Sequence, residues 1–126
     1  MSRAVVLDTS VLIDVLRGSA AAGAWVAALE AVPACSEVTR AEVLRGVRSP
    51  ERTATERLLQ ALRWVPVDEA VSREAGELGR RYRGSHPGLG VAELLIAATA
   101  NLLDASLATA NVRQFPMFED LRAPYA

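Results

Sequence analysis

Short apolar runs alternate with longer segments of helical period along the chain. The apolar runs predict strands at Ala4–Leu7, Val32–Ser36, Trp64–Val67 and Ser106–Ala110. The intervening segments predict helices over about Ser10–Arg17, Ala20–Ala31, Thr39–Gly46, Glu51–Leu62, Val71–Tyr82 with Asp68 as its cap, and Val91–Leu103. Met117–Leu121 fits a short edge strand or a turn. The alternation predicts an α/β fold with a mainly parallel sheet of four to five strands and helices on both faces.

The first strand ends in an acidic residue. Ala4–Leu7 is continuously apolar, as expected for a strand buried on both faces of a parallel sheet, and Asp8 follows it directly. Functional groups of such sheets gather beyond the carboxyl ends of the strands. Asp8 is therefore a candidate site residue.

Composition predicts an ordinary globular protein. The length of 126 residues fits a single domain spanning 1–126, and 51% hydrophobic with 23% charged residues excludes a disordered chain. Cys35 is the only cysteine, so no intrachain disulfide can form, and neither a signal peptide nor a membrane span is evident. We therefore expect a cytoplasmic protein without a membrane partner. With a net charge of −1, any nucleic-acid binding must be local.

Three acidic residues lie near predicted helix starts. Asp8 fits a helix N-cap, Thr39 with Glu42 fits a capping box, and Glu93 lies in a first helical turn, where the helix dipole favours a carboxylate. Each acid alone has this structural explanation. Together they could converge on one edge of a parallel sheet, where their mutual repulsion would require a cation. Oxygen ligands of this kind suit Mg²⁺ or Mn²⁺, and such sites commonly serve phosphoryl chemistry.

The same segments carry a family resemblance. "VVLDTSVLIDVL", "VTRAEVLRGV", "GVAELLIAATA" and "TANVRQF" resemble, in this order, the signature blocks of PIN-domain ribonucleases of the VapC toxin type. The resemblance covers nearly the whole chain and implies a PIN-like three-layer α/β/α fold. It also implies that Asp8, Glu42 and Glu93 are the catalytic acids and hold Mg²⁺ or Mn²⁺.

The sequence departs from the family pattern at two positions. The third acid is usually Asp, whereas this chain has Glu93, which adds one methylene. The family often has a fourth acid in the last block, where this chain has Asn111 and Gln114. Asn111 offers only a neutral oxygen, which puts a tightly held second metal ion in doubt.

Several polar residues are candidates for supporting roles. The hydroxyls of Ser10 and Thr109 could orient Asp8 or a metal-bound water, although Ser10 also fits a helix cap. Arg113 belongs to the last signature block and could contact RNA phosphates. Arg80 and Arg81 could do the same, but a solvated helix face is the better explanation for them.

The main hypothesis is an endoribonuclease in which a metal-activated water hydrolyses RNA. Family resemblance implies in addition a toxin, a cognate antitoxin protein as partner, and a homodimer. One alternative is a PIN-like binding module with a weakened metal site, suggested by Glu93 and Asn111. Another is a phosphatase with Asp8 as nucleophile, but such enzymes typically carry a second Asp two residues on, where this chain has Ser10. His86 is the only histidine, which excludes the metal-free ribonuclease mechanism that uses two histidines as general acid and general base.

Overall fold

The computed structural model describes residues 3–126. Its strands are β1 (Val5–Leu7), β2 (Ala34–Ser36), β3 (Arg63–Val65) and β4 (Ser106–Ala108). Its helices are α1 (Thr9–Leu16), α2 (Ala20–Ala27), α3 (Glu37–Arg45), α4 (Arg52–Gln60), α5 (Glu69–Tyr82) and α6 (Val91–Leu102). Short 3₁₀ turns lie at Ser49–Glu51 and Val112–Gln114.

The four strands form one parallel sheet in the order β3-β2-β1-β4. In β1, Val6 pairs with Ala34 of β2 on one side and with Leu107 of β4 on the other. The chain leaves β1 toward β2 and returns on the opposite side as β4, so the strand order reverses between β1 and β4. In open α/β sheets such a reversal opens a crevice at the carboxyl ends of the two strands.

The sheet separates two apolar cores, because successive side chains of a strand point to opposite faces. Val6 packs in a cluster with side chains of α5 and α6, including Leu78 and Ile96. Leu7 packs in the other cluster with side chains of α1, including Val11 and Leu12. This arrangement confirms the predicted three-layer α/β/α fold.

The second predicted helix and strand have different bounds in the structure. Helix α2 ends at Ala27 rather than Ala31, and Val32, the first residue of the predicted strand, lies outside the strand and is 64% exposed. The following strand begins at Ala34, after Pro33, which has no N–H group to donate to the sheet. Pro33 still accepts a hydrogen bond from the Arg63 N–H group at 3.1 Å.

The segment Met117–Leu121 is a turn, so the sheet of the described residues has four strands, the lower of the two predicted numbers. Asp120 has a φ of +59°, a left-handed conformation that interrupts any extended run. Among residues 3–126, no single helix is long and apolar enough to cross a membrane. Helices α1 and α2 meet that criterion only as a pair, and they are bent by 117° at their junction.

Candidate active site

A cavity of about 320 Å³ opens where β1 and β4 end. We call it the acid cavity, because the carboxylates of Asp8, Asp14, Glu42 and Glu93 line it. One guanidinium, that of Arg17, lies among them. The parallel sheet explains the location, because Asp8 directly follows β1 and its N–H group donates to the carbonyl of Ala108 in β4 at 2.8 Å.

Asp8 is held by two hydroxyl groups. Its Oδ2 atom accepts hydrogen bonds from Ser10 Oγ and from Thr109 Oγ1, both at 2.7 Å. These hydroxyls are fixed in turn by backbone N–H groups, of Ala110 to Ser10 at 3.1 Å and of Asn111 to Thr109 at 2.9 Å. The Oδ1 atom has no hydrogen-bond partner within the described part of the chain. One carboxylate oxygen is thus fixed and the other is available to a ligand.

The capping explanation for Asp8 is wrong. Asp8 precedes α1, but its side chain accepts no hydrogen bond from the helix backbone. The side chain is only 5% exposed, and its partners are the hydroxyl groups at the start of α1 and the end of β4. The Ser10 hydroxyl likewise donates to Asp8 and accepts from the Ala110 N–H group, rather than capping the helix.

Glu42 is held from the first turn of α1. Thr9 Oγ1 donates to Glu42 Oε1 at 2.6 Å and lies 3.0 Å from Thr39 Oγ1. Because a hydroxyl has one proton, Thr39 donates to Thr9 in this chain of bonds. The predicted capping box of Thr39 and Glu42 is therefore wrong. Helix α3 begins earlier, at Glu37, and its cap is Ser36, which accepts from the Val38 N–H group at 3.2 Å.

Glu93 bends back over the start of α6. The N-cap of this helix is Gly90, which has no side chain that could cap the helix. A Cβ atom built on Gly90 would collide with Glu93 Oε2, so the missing side chain of Gly90 gives the carboxylate its space. Among residues 3–126, no hydrogen-bond or ion-pair partner holds Glu93, which leaves its carboxylate free to rotate.

The three predicted acids line the same cavity, but their side chains are not arranged to coordinate one metal ion together. No three His, Cys, Asp or Glu side chains of the described residues are positioned to hold a metal ion. The chemistry of the donors nevertheless fits a hard cation, because Asp8, Glu42, Glu93 and Asn111 offer only oxygen ligands or an amide. Hydroxyl groups hold Asp8 and Glu42, so Glu93 is the acid of the three that is free to move toward a cation.

Sequence reasoning missed part of one wall. Ser10, Ile13, Asp14 and Arg17 all line the cavity, and their spacing places them on one face of α1. Asp14 accepts a hydrogen bond from the Tyr125 hydroxyl at 2.7 Å. Burial, followed by this bond, raises the pKa of Tyr125 well above its usual value. Tyr125 therefore holds the carboxylate of Asp14 in place at the wall of the cavity.

The three arginines predicted to contact RNA lie outside the acid cavity. Arg113 lines a shallow neighbouring depression beside Asn111, and it does not line the acid cavity. Arg80 and Arg81 are exposed at the end of α5, where Arg80 Nη1 lies 3.6 Å from Glu77 Oε1. The predicted residue Asn111 does line the acid cavity, together with Gln114.

Comparisons with known proteins agree with this architecture. The sequence model of the PIN domain matches residues 5–119. Ribonuclease VapC19 of Mycobacterium tuberculosis is 47% identical over 123 residues, which cover 94% of this chain and 98% of that protein. Ribonuclease VapC10 of the same organism is 47% identical over 124 residues, covering 97% of this chain and 93% of that protein.

The fold also matches solved structures. One of them is a toxin–antitoxin complex from Klebsiella pneumoniae, with a TM-score of 0.83 and 24% sequence identity. The match covers 97% of this chain and 98% of the matched chain. At this identity the likeness establishes the shared fold.

Proposed function

The chain belongs to the PIN domain family and, within it, to the ribonucleases named VapC, and on this premise we propose that it is a metal-dependent endoribonuclease. The observation that carries the proposal is the fixed carboxylate of Asp8 in a cavity lined by three further acids, at the strand reversal between β1 and β4. This is the position where open α/β sheets bind ligands.

Asp8, Glu42 and Glu93 would hold Mg²⁺ or Mn²⁺, with Asn111 as a neutral neighbour. The chemistry that such an ion supplies is a water of lowered pKa and stabilisation of the charge that develops on the phosphate. The hydroxyls of Ser10 and Thr109 keep Asp8 in one orientation, and Thr9 does the same for Glu42. The expected RNA products carry a 5′-phosphate and a 3′-hydroxyl.

The proposal includes partners. Membership among the VapC ribonucleases implies that the protein is the toxin of a type II toxin–antitoxin pair, restrained by a small antitoxin protein, and that it forms a homodimer. The structure from Klebsiella pneumoniae, which shares the fold, is a toxin–antitoxin complex. Co-expression with the reading frame adjacent to this gene, followed by purification through a tag on one protein, tests the pairing directly.

The activity is tested by incubating the purified protein with structured RNA, with and without Mg²⁺ or Mn²⁺. We expect cleavage that EDTA abolishes, and a loss of at least about 100-fold in Asp8→Asn, because removing groups that only support metal ligands already costs 10–100-fold. The matched control is Asp120→Asn, which changes charge equally at an exposed position whose left-handed backbone Asn tolerates. Equal cleavage by Asp8→Asn and the wild type would refute the mechanism.

A binding module without activity is the second candidate, favoured by the unclosed ligand set and by the neutral Asn111. Calorimetric titration with Mn²⁺ separates the two. Binding that requires Asp8 supports the enzyme, whereas absence of binding at millimolar Mn²⁺ supports the module. The structure does not favour the phosphatase alternative. Ser10 occupies the place of the second Asp of such enzymes, and its hydroxyl donates a hydrogen bond to Asp8.

A further inference from the structure

A smaller cavity adjoins the acid cavity. Its volume is about 140 Å³, and Ile13, Arg17 and Glu42 line both cavities. We call it the side cavity. Beyond these shared residues its walls include Val43 and Val47, so it is less polar than the acid cavity. Arg17 is the basic residue among the three that the two cavities share.

The backbone at Arg17 is fixed by the end of α1. Gly18 has a φ of +86°, which glycine adopts without strain. The Ser19 N–H group donates to the Asp14 carbonyl at 3.0 Å, and the Gly18 N–H group donates to the Val15 carbonyl at 3.1 Å. This is the Schellman pattern of helix termination. Arg17 therefore has a defined position at the carboxyl end of α1, where the helix dipole favours a cation.

The Arg17 side chain is exposed and uncommitted. It makes no hydrogen bond or ion pair with any residue in the described range 3–126, and the nearby Asp14 is bound to the Tyr125 hydroxyl instead. Among residues 3–126, the other charged groups that line the acid cavity are carboxylates. An RNA phosphate approaching these acids meets repulsion, which a guanidinium relieves by donating two parallel hydrogen bonds to phosphate oxygens.

We propose that Arg17 binds an RNA phosphate that flanks the cleaved one, at the junction of the acid cavity and the side cavity. Arg17, the C-cap of α1, comes seven positions after Ser10, which corresponds to a backbone rise of about 10 Å at 1.5 Å per residue. On this separation of the backbones, the proposal places Arg17 against a different phosphate from the one at Asp8. The inference rests on the proposed function, since it deepens the description of the same site.

The first experiment measures RNA binding without cleavage. Asp8→Asn is combined with Arg17→Gln, and each protein is titrated against a fluorescein-labelled 20-nucleotide RNA of randomised sequence, by fluorescence anisotropy over a range of salt concentrations. We expect Arg17→Gln to weaken binding at least tenfold at low salt. The slope of log affinity against log salt should fall by about 0.7, the value for one phosphate contact on a single strand. The charge control is Arg73→Gln, an exposed arginine on α5 that pairs with Glu69.

The second experiment measures cleavage in the Asp8-containing protein. Arg17→Gln should raise KM more than it lowers kcat, and Arg17→Lys should recover part of the loss, because Lys keeps the charge without the fork of donors. Weaker binding by Arg17→Gln in a protein that never cleaves would leave the inference standing and refute the proposed function. Normal cleavage with unchanged KM in Arg17→Gln would overturn the inference alone. Absence of RNA binding by Asp8→Asn, or equal affinity and salt slope with and without Arg17, would also overturn it.

Discussion

The hydroxyl of Thr109 offers a clean test of how Asp8 is held. Thr109 is fully buried, donates to Asp8 Oδ2 at 2.7 Å and accepts from the Asn111 N–H group at 2.9 Å. Thr109→Val replaces the hydroxyl by a methyl group of similar size. The substitution therefore removes two hydrogen bonds with little change in packing volume.

The expected cost follows from the charge of the acceptor. A hydrogen bond to a charged group contributes about 1.5–3 kcal/mol, and Asp8, at 5% exposure, has little water to replace it. Ser10 continues to donate to the same oxygen, so we expect a loss near the lower half of this range, about 2 kcal/mol. For a domain of this size that corresponds to a fall in Tm of about 8 °C. Cleavage should fall about 10–100-fold, because Asp8 loses half of its support.

Thr55 provides a matched control. It is as buried as Thr109, at 1% exposure, yet its Oγ1 atom has no hydrogen-bond partner in the described residues. An unpaired buried hydroxyl costs free energy, so Thr55→Val should leave stability unchanged or raise it by up to about 1 kcal/mol. Both variants are compared by thermal and urea denaturation followed by circular dichroism.

The comparison can fail in two ways. If Thr55→Val loses as much stability as Thr109→Val, the loss reflects packing of the introduced methyl group, and the hydrogen-bond argument is refuted. If Thr109→Val loses stability but cleaves RNA at the wild-type rate, the hydroxyl supports the fold without orienting a catalytic group.

Two further predictions follow from the site and the core. Gly90→Ala should preserve stability, because φ −80° and ψ 158° suit alanine, but the new Cβ atom would displace the carboxylate of Glu93. We therefore expect the Mg²⁺ concentration for half-maximal cleavage to fall. An unchanged or higher concentration would contradict the proposal that Glu93 rotates to bind the ion. Burial raises the pKa of the Cys35 thiol from 9.0 to about 12, so the stability linked to the protonated thiol is complete below pH 9 and is lost as the pH rises toward 12. Cys35→Ala should therefore lose less Tm than the wild type between pH 9 and pH 11, and parallel Tm curves would show that other groups govern alkaline unfolding.

Much of the fold could be predicted because its strands are short, buried and continuous. Both faces of the strand Val5–Leu7 are covered, so its sequence has no polar position. Asp8 follows it directly and therefore lies at the carboxyl end of the sheet. Helix boundaries were harder to predict. Thr39 has the right spacing for a cap, but Ser36 begins α3 three residues earlier, and Thr39 is buried against Thr9 instead. The local sequence pattern does not distinguish Ser36 from Thr39 as the cap of α3, because the choice depends on where the preceding strand ends.

Single acidic positions in the sequence predicted part of the lining of the acid cavity, whereas the part formed by one face of α1 was not predicted. Asp8, Glu42 and Glu93 were predicted because each lies near the start of a predicted helix, and all three line the acid cavity. Asp14 and Arg17 were missed because they look like an ordinary solvated face when α1 is considered alone. Ser10, the site hydroxyl, is four residues before Asp14 and seven before Arg17, so all three lie on one face. Once Ser10 is paired with Asp8, helical periodicity alone places Asp14 and Arg17 on the same wall of the acid cavity. A functional residue on a helix therefore predicts candidates at its third, fourth and seventh neighbours, and the Arg17 variants test that rule here.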